Sequence, residues 1–203
     1  MIDRKNHSMS TFFNALRDDE GGTTIMEFGL MSIVFVTLLL GLFDLGQLAY
    51  TQSVLNGAVQ TAARSSSLES GNTTSADAEV TSIVRVTAPD AVVTTSRISY
   101  FDYDDVERAE SWNDADNSGI CDDGESYSDE NGNGQWDADI GLDGNGGASD
   151  VVVYTVSVAY KPLFPNPFIP GGTDKRELTS STVKKNQPFA DQPGYGATAG
   201  TCD

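Results

Sequence analysis

The chain has 203 residues, a hydrophobic fraction of 38% and a formal net charge of −18, which leaves room for one modest domain with a small core beside an anchor. The charge is uneven: residues 101–150 hold sixteen Asp and Glu against Arg108 alone, so the rest of the chain carries only −3. A block of that sign repels phosphate-rich surfaces and attracts cations, so no nucleic acid is expected as a partner.

Residues 1–22 are polar, carry Arg4, Lys5 and Arg17, and end in Asp18-Asp19-Glu20-Gly21-Gly22, which reads as an exposed leader. From Phe28 to Phe43 there is no charged residue, and Leu45, Leu48, Ala49 and Tyr50 extend the apolar run, so a transmembrane segment is predicted over about 28–50. Asp44 stands sixteen residues beyond Phe28, roughly 24 Å along a helix, near the far headgroups. Lys and Arg lie before this segment and none occurs between residues 18 and 63. The positive-inside rule then gives a cytoplasmic N-terminus and an extracytoplasmic remainder.

Val54, Leu55, Ala58, Val59, Ala62 and Ala63 recur at helical spacing, so one long helix is predicted over 23–65. An extracytoplasmic α+β domain follows over 66–190. Within it a second helix fits Ala76 to Thr87, stopped by Pro89, and strands fit Val92–Phe101, Val151–Tyr160 and, more weakly, Leu178–Val183. The small antiparallel sheet they form is expected to pack on the C-terminal half of the long helix. The chain from Pro188 reads as loose, leaving 191–203 as a tail.

The acidic insert, 113–143, contains two loops with calcium-ligand spacing. Residues 114–125 match an EF-hand-type loop at positions 1, 3, 5, 6 and 12, so Asp114, Asp116, Ser118, the Ile120 carbonyl and Glu125 can converge as oxygen ligands, with Asp122 acting through water. Fifteen residues on the pattern repeats with Asp129, Asn131, Asn133, the Gln135 carbonyl and Asp137, but Ile140 replaces the acid at position 12, so Asp137 and Asp139 must supply the missing oxygens. Only Ser126 to Ser128 separate the loops, which leaves no space for EF-hand helices. One or two structural calcium ions are the expected cofactor, stiffening a segment too polar to fold by burial; a disordered acidic surface loop is the alternative. Cys121 and Cys202 either form a disulfide, given an oxidising compartment, or remain two thiols.

At Gly22-Thr23-Thr24-Ile25-Met26-Glu27-Phe28 a glycine precedes a glutamate by five places at the mouth of the apolar run. Residues 17–64 resemble type IV prepilins and, more closely, TadE-like pseudopilins of the Tad/Flp (type IVb-like) pilus assembly system. The resemblance implies cleavage between Gly22 and Thr23 by a prepilin peptidase and assembly through Glu27 and Phe28. Glu27 would pair with the new amino group at Thr23, commonly of a neighbouring subunit. Because the chain is longer than the short major Tad pilins, the resemblance implies a minor pilin or pseudopilin. Its partners are then other pilin or pseudopilin subunits and membrane lipid. Its place is the bacterial inner (cytoplasmic) membrane or a pilus.

The expected fold is α+β: a long N-terminal transmembrane pilin-like helix packed on a small antiparallel sheet, with an acidic calcium-loop insertion. The alternative is an uncleaved single-pass, calcium-binding surface or adhesion protein. His7 is the only histidine and lies in the leader, so a processed chain has none for a catalytic triad, and no phosphate-cradling glycine motif is present. No enzyme activity is expected.

Overall fold

A computed structural model describes residues 21–68, 72–122, 124–168, 170–192, 196 and 198–202. The leader expected at 1–22 therefore lies outside the described residues except at its last two positions. The protein is α+β; among the described residues there are two helices, α1 (Gly21–Ser66) and α2 (Thr73–Thr87), and six strands. These are β1 (Val92–Tyr100), β2 (Ser126–Asp129), β3 (Leu142–Asp143), β4 (Val151–Tyr160), β5 (Arg176–Lys185) and β6 (Thr198–Thr201). A single 3-10 turn, Tyr103–Asp105, follows β1.

The chain divides into two compact units. One joins residues 21–45 of α1 to the segment Phe164–Thr173. Here α1 turns its apolar side chains outward: Phe28 is 73% exposed, and Ile25, Val34, Leu38 and Leu42 are exposed with it. The helix is long and apolar enough to cross a membrane, and outward-facing apolar side chains suit lipid as the surrounding solvent.

The other unit runs from Gly46 to Leu163 and from Asp174 onward. Its main sheet has the order β3-β1-β4-β5, antiparallel throughout. β1 pairs with β4 from Val92↔Ala159 to Tyr100↔Val151, and β4 with β5 from Val151↔Lys185 to Tyr160↔Arg176. Side chains alternate across a strand, so Tyr154, Val156, Val158 and Tyr160 of β4 face inward while the Thr155 and Ser157 hydroxyls meet Ser181 and Thr179 of β5. The inward face packs with Leu55, Val59 and Ala62 of α1 and with Val80 and Val84 of α2.

α2 begins three residues earlier than its apolar pattern predicts, because Asn72 caps it by accepting from the Ser75 amide at 3.0 Å. Pro89 lies just beyond its C-terminal end. β5 is also longer than expected. Ser180 and Lys184 occupy inward, buried positions there, so the strand lacks the apolar alternation that marks β4.

Two polar groups inside this unit are held by directed bonds. Asp77 of α2 accepts from Arg97 Nη1 and Nη2 (2.9 and 2.5 Å), from the Tyr154 hydroxyl (2.6 Å) and from Thr95 (3.0 Å). Burial pushes the Asp77 carboxyl up, but these donors and the charge of Arg97 outweigh it and hold the group below its usual range. Lys184 donates to Ser66 Oγ (3.1 Å), Asn145 Oδ1 (2.7 Å) and Asn186 Oδ1 (3.3 Å), all uncharged acceptors. Asn145 also donates to the carbonyl of Ser66, so the C-terminal end of α1 is tied to the return loop and to β5.

Burial, followed by the charge of Arg97, pushes the Lys184 ammonium down to about 8, whereas an unfolded lysine titrates near about 10.4. Between these values the unfolded chain binds more protons, so folding stability is expected to rise with pH from about 8 to 10. Above that range the trend reverses. Burial and bonds to carboxylates raise the Tyr100 hydroxyl to about 12 and that of Tyr154 further, so unfolded tyrosines ionise first. Denaturant midpoints of the full chain in detergent check this: Lys184→Met is expected to flatten the rise, and a flat unsubstituted profile would refute it.

Candidate functional site

Gly22, Thr23, Glu27 and Phe28 all lie in the first two turns of α1, and all four are exposed. The carboxylate of Glu27 therefore projects from an apolar helix surface at the start of the stretch able to cross a membrane. A charge at such a place persists where it has a partner.

The insert is built on β2. One edge of β2 pairs with β6, from Ser126↔Thr201 to Asp129↔Thr198. On the other edge, Asn113 and Ser128 donate to Ser126 O and Ser111 O, with Trp112 opposite Tyr127. The tail expected to be loose thus carries a strand, and Gln192 donates to Phe101 O and to Asp150. The segment leading into β4 is held by β3 and by the bonds of Asn145 and Asn186.

A calcium-type loop lies on each side of β2, and the two wrap alike. In the first, Asp114 accepts from the Ser118 and Gly119 amides; in the second, Asp129 accepts from Gly132, Asn133 and Gly134. Gly119 and Gly134 adopt φ of 79° and 81°, a left-handed turn that glycine takes without steric cost.

The loops differ in what remains free to bind. In the first, single carboxylate oxygens of Asp114, Asp116 and Glu125 lie within 4.8 Å of one another. Glu125 is 8% exposed; its Oε1 accepts from the Ala115 amide at 2.6 Å, while its Oε2 is buried with no hydrogen-bond partner among the described residues. A buried carboxylate oxygen left that way is costly. Hard oxygens at this spacing suit a divalent cation of calcium's size. Ser118 Oγ donates to the Ile120 carbonyl at 3.0 Å, which brings these two oxygens together, and Asp122 is half-buried beside the loop's end.

In the second loop Asn131 and Asn133 donate their side-chain amides to Asp137 Oδ2 (2.7 and 2.5 Å), and the Asn133 side-chain oxygen accepts from the Gln135 amide. Asp139 turns to Tyr100, accepting from its hydroxyl at 3.0 Å, and to the Gly141 amide. Ile140 is buried. The second loop's oxygens are thus largely occupied by the protein's own donors.

The sequence patterns do not mark the residue that organises this second loop. Glu110 is fully buried and accepts from the amides of Glu130 (2.7 Å), Asn131 (3.3 Å) and Asp137 (3.2 Å). Trp136, at the inward position of the loop, donates to the Glu110 carbonyl and stacks edge-on against Trp112, ring centroids 5.1 Å apart. Arg108 pairs with both Asp105 and Glu130. The Arg108 bond, against some burial and with help from Ser111, holds the Glu130 carboxyl below its usual range.

Cys121 and Cys202 are joined in a disulfide, with Cα atoms 5.6 Å apart and a sequence separation of 81. Beside it Cys202 N donates to Glu125 O, and Gly124 N donates to Cys202 O. The C-terminal segment is therefore attached to the last positions of the first loop.

A model of the TadE-like protein family matches residues 22–64, the stretch that α1 covers. The match is consistent with a TadE-like protein of the Tad pilus system, points to a Tad pilus-associated minor pilin, and is of a family that is structural rather than enzymatic. With the apolar helix it indicates membrane anchoring and interaction with other pilus components. No curated protein and no solved structure matches the chain.

The disulfide closes a loop with a sequence separation of 81, and the chain-entropy account gives a link of that span about 4.5 kcal/mol. Reduction, or Cys121→Ser with Cys202→Ser, is expected to lower the urea midpoint of the full chain accordingly. An unchanged midpoint would mean that the β2–β6 pairing holds the insert without the bond.

Proposed function

We propose that this protein is a minor pseudopilin of a Tad pilus, cut between Gly22 and Thr23 by a prepilin peptidase and assembled through its N-terminal helix. The observation that carries the reading is the family match over 22–64, starting at the glycine of the expected cleavage site. Residues 28–50 then anchor the chain in the inner membrane, with the C-terminal domain extracytoplasmic. The Cys121–Cys202 disulfide supports that side, since disulfides persist in oxidising compartments. Cleavage frees an amine at Thr23, and Glu27 accepts it from a neighbouring pilin or pseudopilin, which relieves an otherwise costly intramembrane carboxylate.

Edman sequencing of protein from native membranes is expected to start at Thr23. Glu27→Gln is expected to leave that cut intact while lowering recovery of the chain in sheared pilus fractions. An intact Met1 would instead favour an uncleaved surface anchor.

In this reading the insert is stiffened by one calcium ion in the first loop. Asp114, Asp116, Ser118, the Ile120 carbonyl and Glu125 are its ligands, and Asp122 acts through water. The support is the convergence of three carboxylates on a buried, unpartnered Glu125 oxygen. The second loop, lacking an acid at position 12, is the weaker site.

Saturating calcium, at about a hundred times Kd, is expected to stabilise the full chain by about 2.7 kcal/mol. Glu125→Gln is expected to weaken binding about tenfold or more, a loss of at least about 1.4 kcal/mol. Calorimetry and the fluorescence of the Trp112–Trp136 pair read both. Absence of heat and of any spectral change would remove calcium from the account.

A further inference from the structure

The segment Phe164–Thr173 belongs to the same compact unit as the apolar half of α1, and no motif assigns it a role. Its chemistry is unlike the rest of the chain. Four of the seven prolines, Pro162, Pro165, Pro167 and Pro170, fall within nine residues, and no charged residue occurs from 162 to 173. Proline has no backbone N–H, so Pro165, Pro167 and Pro170 remove three of the donors that make irregular backbone costly in hydrocarbon.

Asn166, its one amide side chain, finds partners. Asn166, 2% exposed, donates its side-chain amide to the Thr37 carbonyl of α1 at 2.9 Å and its backbone amide to Gly172 O at 2.9 Å. Its side-chain oxygen accepts from the Phe168 amide at 3.1 Å. Phe164 rests against Phe43 of α1, ring centroids 5.2 Å apart. Phe168, by contrast, is 62% exposed.

Thr37 and Phe43 lie inside the apolar run, before Asp44. At 1.5 Å per residue Thr37 is roughly 10 Å inward from Asp44 along the helix axis, comparable to the depth reached by interfacial amphipathic segments, about 5–10 Å. A loop fixed to α1 at these positions continues the outward apolar surface of the helix. Lys161 precedes it, and Asp174, Lys175, Arg176 and Glu177 follow, a slight cationic excess that tolerates anionic headgroups at its rim.

We propose that Phe164–Thr173 is a second membrane-contacting element, with Phe164 and Phe168 seated in the extracytoplasmic leaflet beside α1. The proposal rests on the reading that α1 spans the bilayer. Its partner is lipid, and Asn166 is the clamp that fixes the loop's depth.

The test uses the full mature chain, disulfide intact, as single copies in nanodiscs of phosphatidylethanolamine and phosphatidylglycerol. An environment-sensitive fluorophore is placed at Phe168→Cys, with Leu38→Cys as the reference within the helix and Ala78→Cys on α2 as the aqueous reference. The expected result is quenching of both the Leu38 and Phe168 probes by nitroxide-labelled lipid. The label should be shallower for Phe168, and iodide quenching there should be several-fold weaker than at position 78. A Leu38 probe quenched by lipid beside a Phe168 probe quenched by iodide overturns the loop proposal and leaves the anchor standing. A Phe168 probe shielded from both quenchers also overturns it, since protein then covers the loop. A Leu38 probe open to iodide overturns the anchor and the proposal together.

Discussion

Everything in this structure hangs on one helix that must satisfy two solvents. The first part of α1 exposes Phe28, Val34, Leu38 and Leu42, which only an apolar surrounding accommodates without cost. The last part buries Leu55, Val59 and Ala62 under the sheet, in a core that α2 completes with Val80 and Val84. Each segment of α1 supplies what the other cannot, an anchor and a core. The end of the helix is where the domain closes on it: Ser66 receives Lys184 and Asn145, and β5 and the return loop are held there.

The acidic insert follows a different logic. It contains too few apolar side chains to fold by burial, so its order comes from directed bonds. Carboxylates accept backbone amides in both loops, Glu110 gathers three more, and Arg108 binds Asp105 and Glu130. The two loops descend from one pattern yet diverge in what they leave open. Asn131 and Asn133 satisfy Asp137 from within, whereas Glu125 keeps an oxygen that the protein does not fill. In the proposed reading a cation completes the first loop, whereas the second already satisfies its carboxylates from within.

The elements with strong periodicity were legible in the sequence. β4 is rich in β-branched and aromatic residues and alternates apolar with polar from Tyr154 to Val158, and α1 carries an apolar run that no other described element matches. The junction at Gly22 and Glu27 was legible as a resemblance, which the family match over 22–64 shares. What escaped was non-local. β6, Thr198–Thr201, has no apolar pattern and exists because β2 and a disulfide receive it. Glu110 stands outside every ligand pattern because its partners are backbone amides some twenty residues away. β5 read weakly because two of its inward places hold Ser180 and Lys184, whose burial depends on acceptors from elsewhere in the chain.

The Cys121–Cys202 bond has a mechanical consequence. β4 and β5 lie between the two cysteines, inside the covalent loop. A pull between α1 and the C-terminal segment passes through the sulfurs and bypasses those strands. The sequence separation of 81 between the cysteines would otherwise contribute roughly 270 Å of extended chain. β4 and β5 are thereby kept out of the path of tension, whereas β1, which precedes Cys121, stays within it.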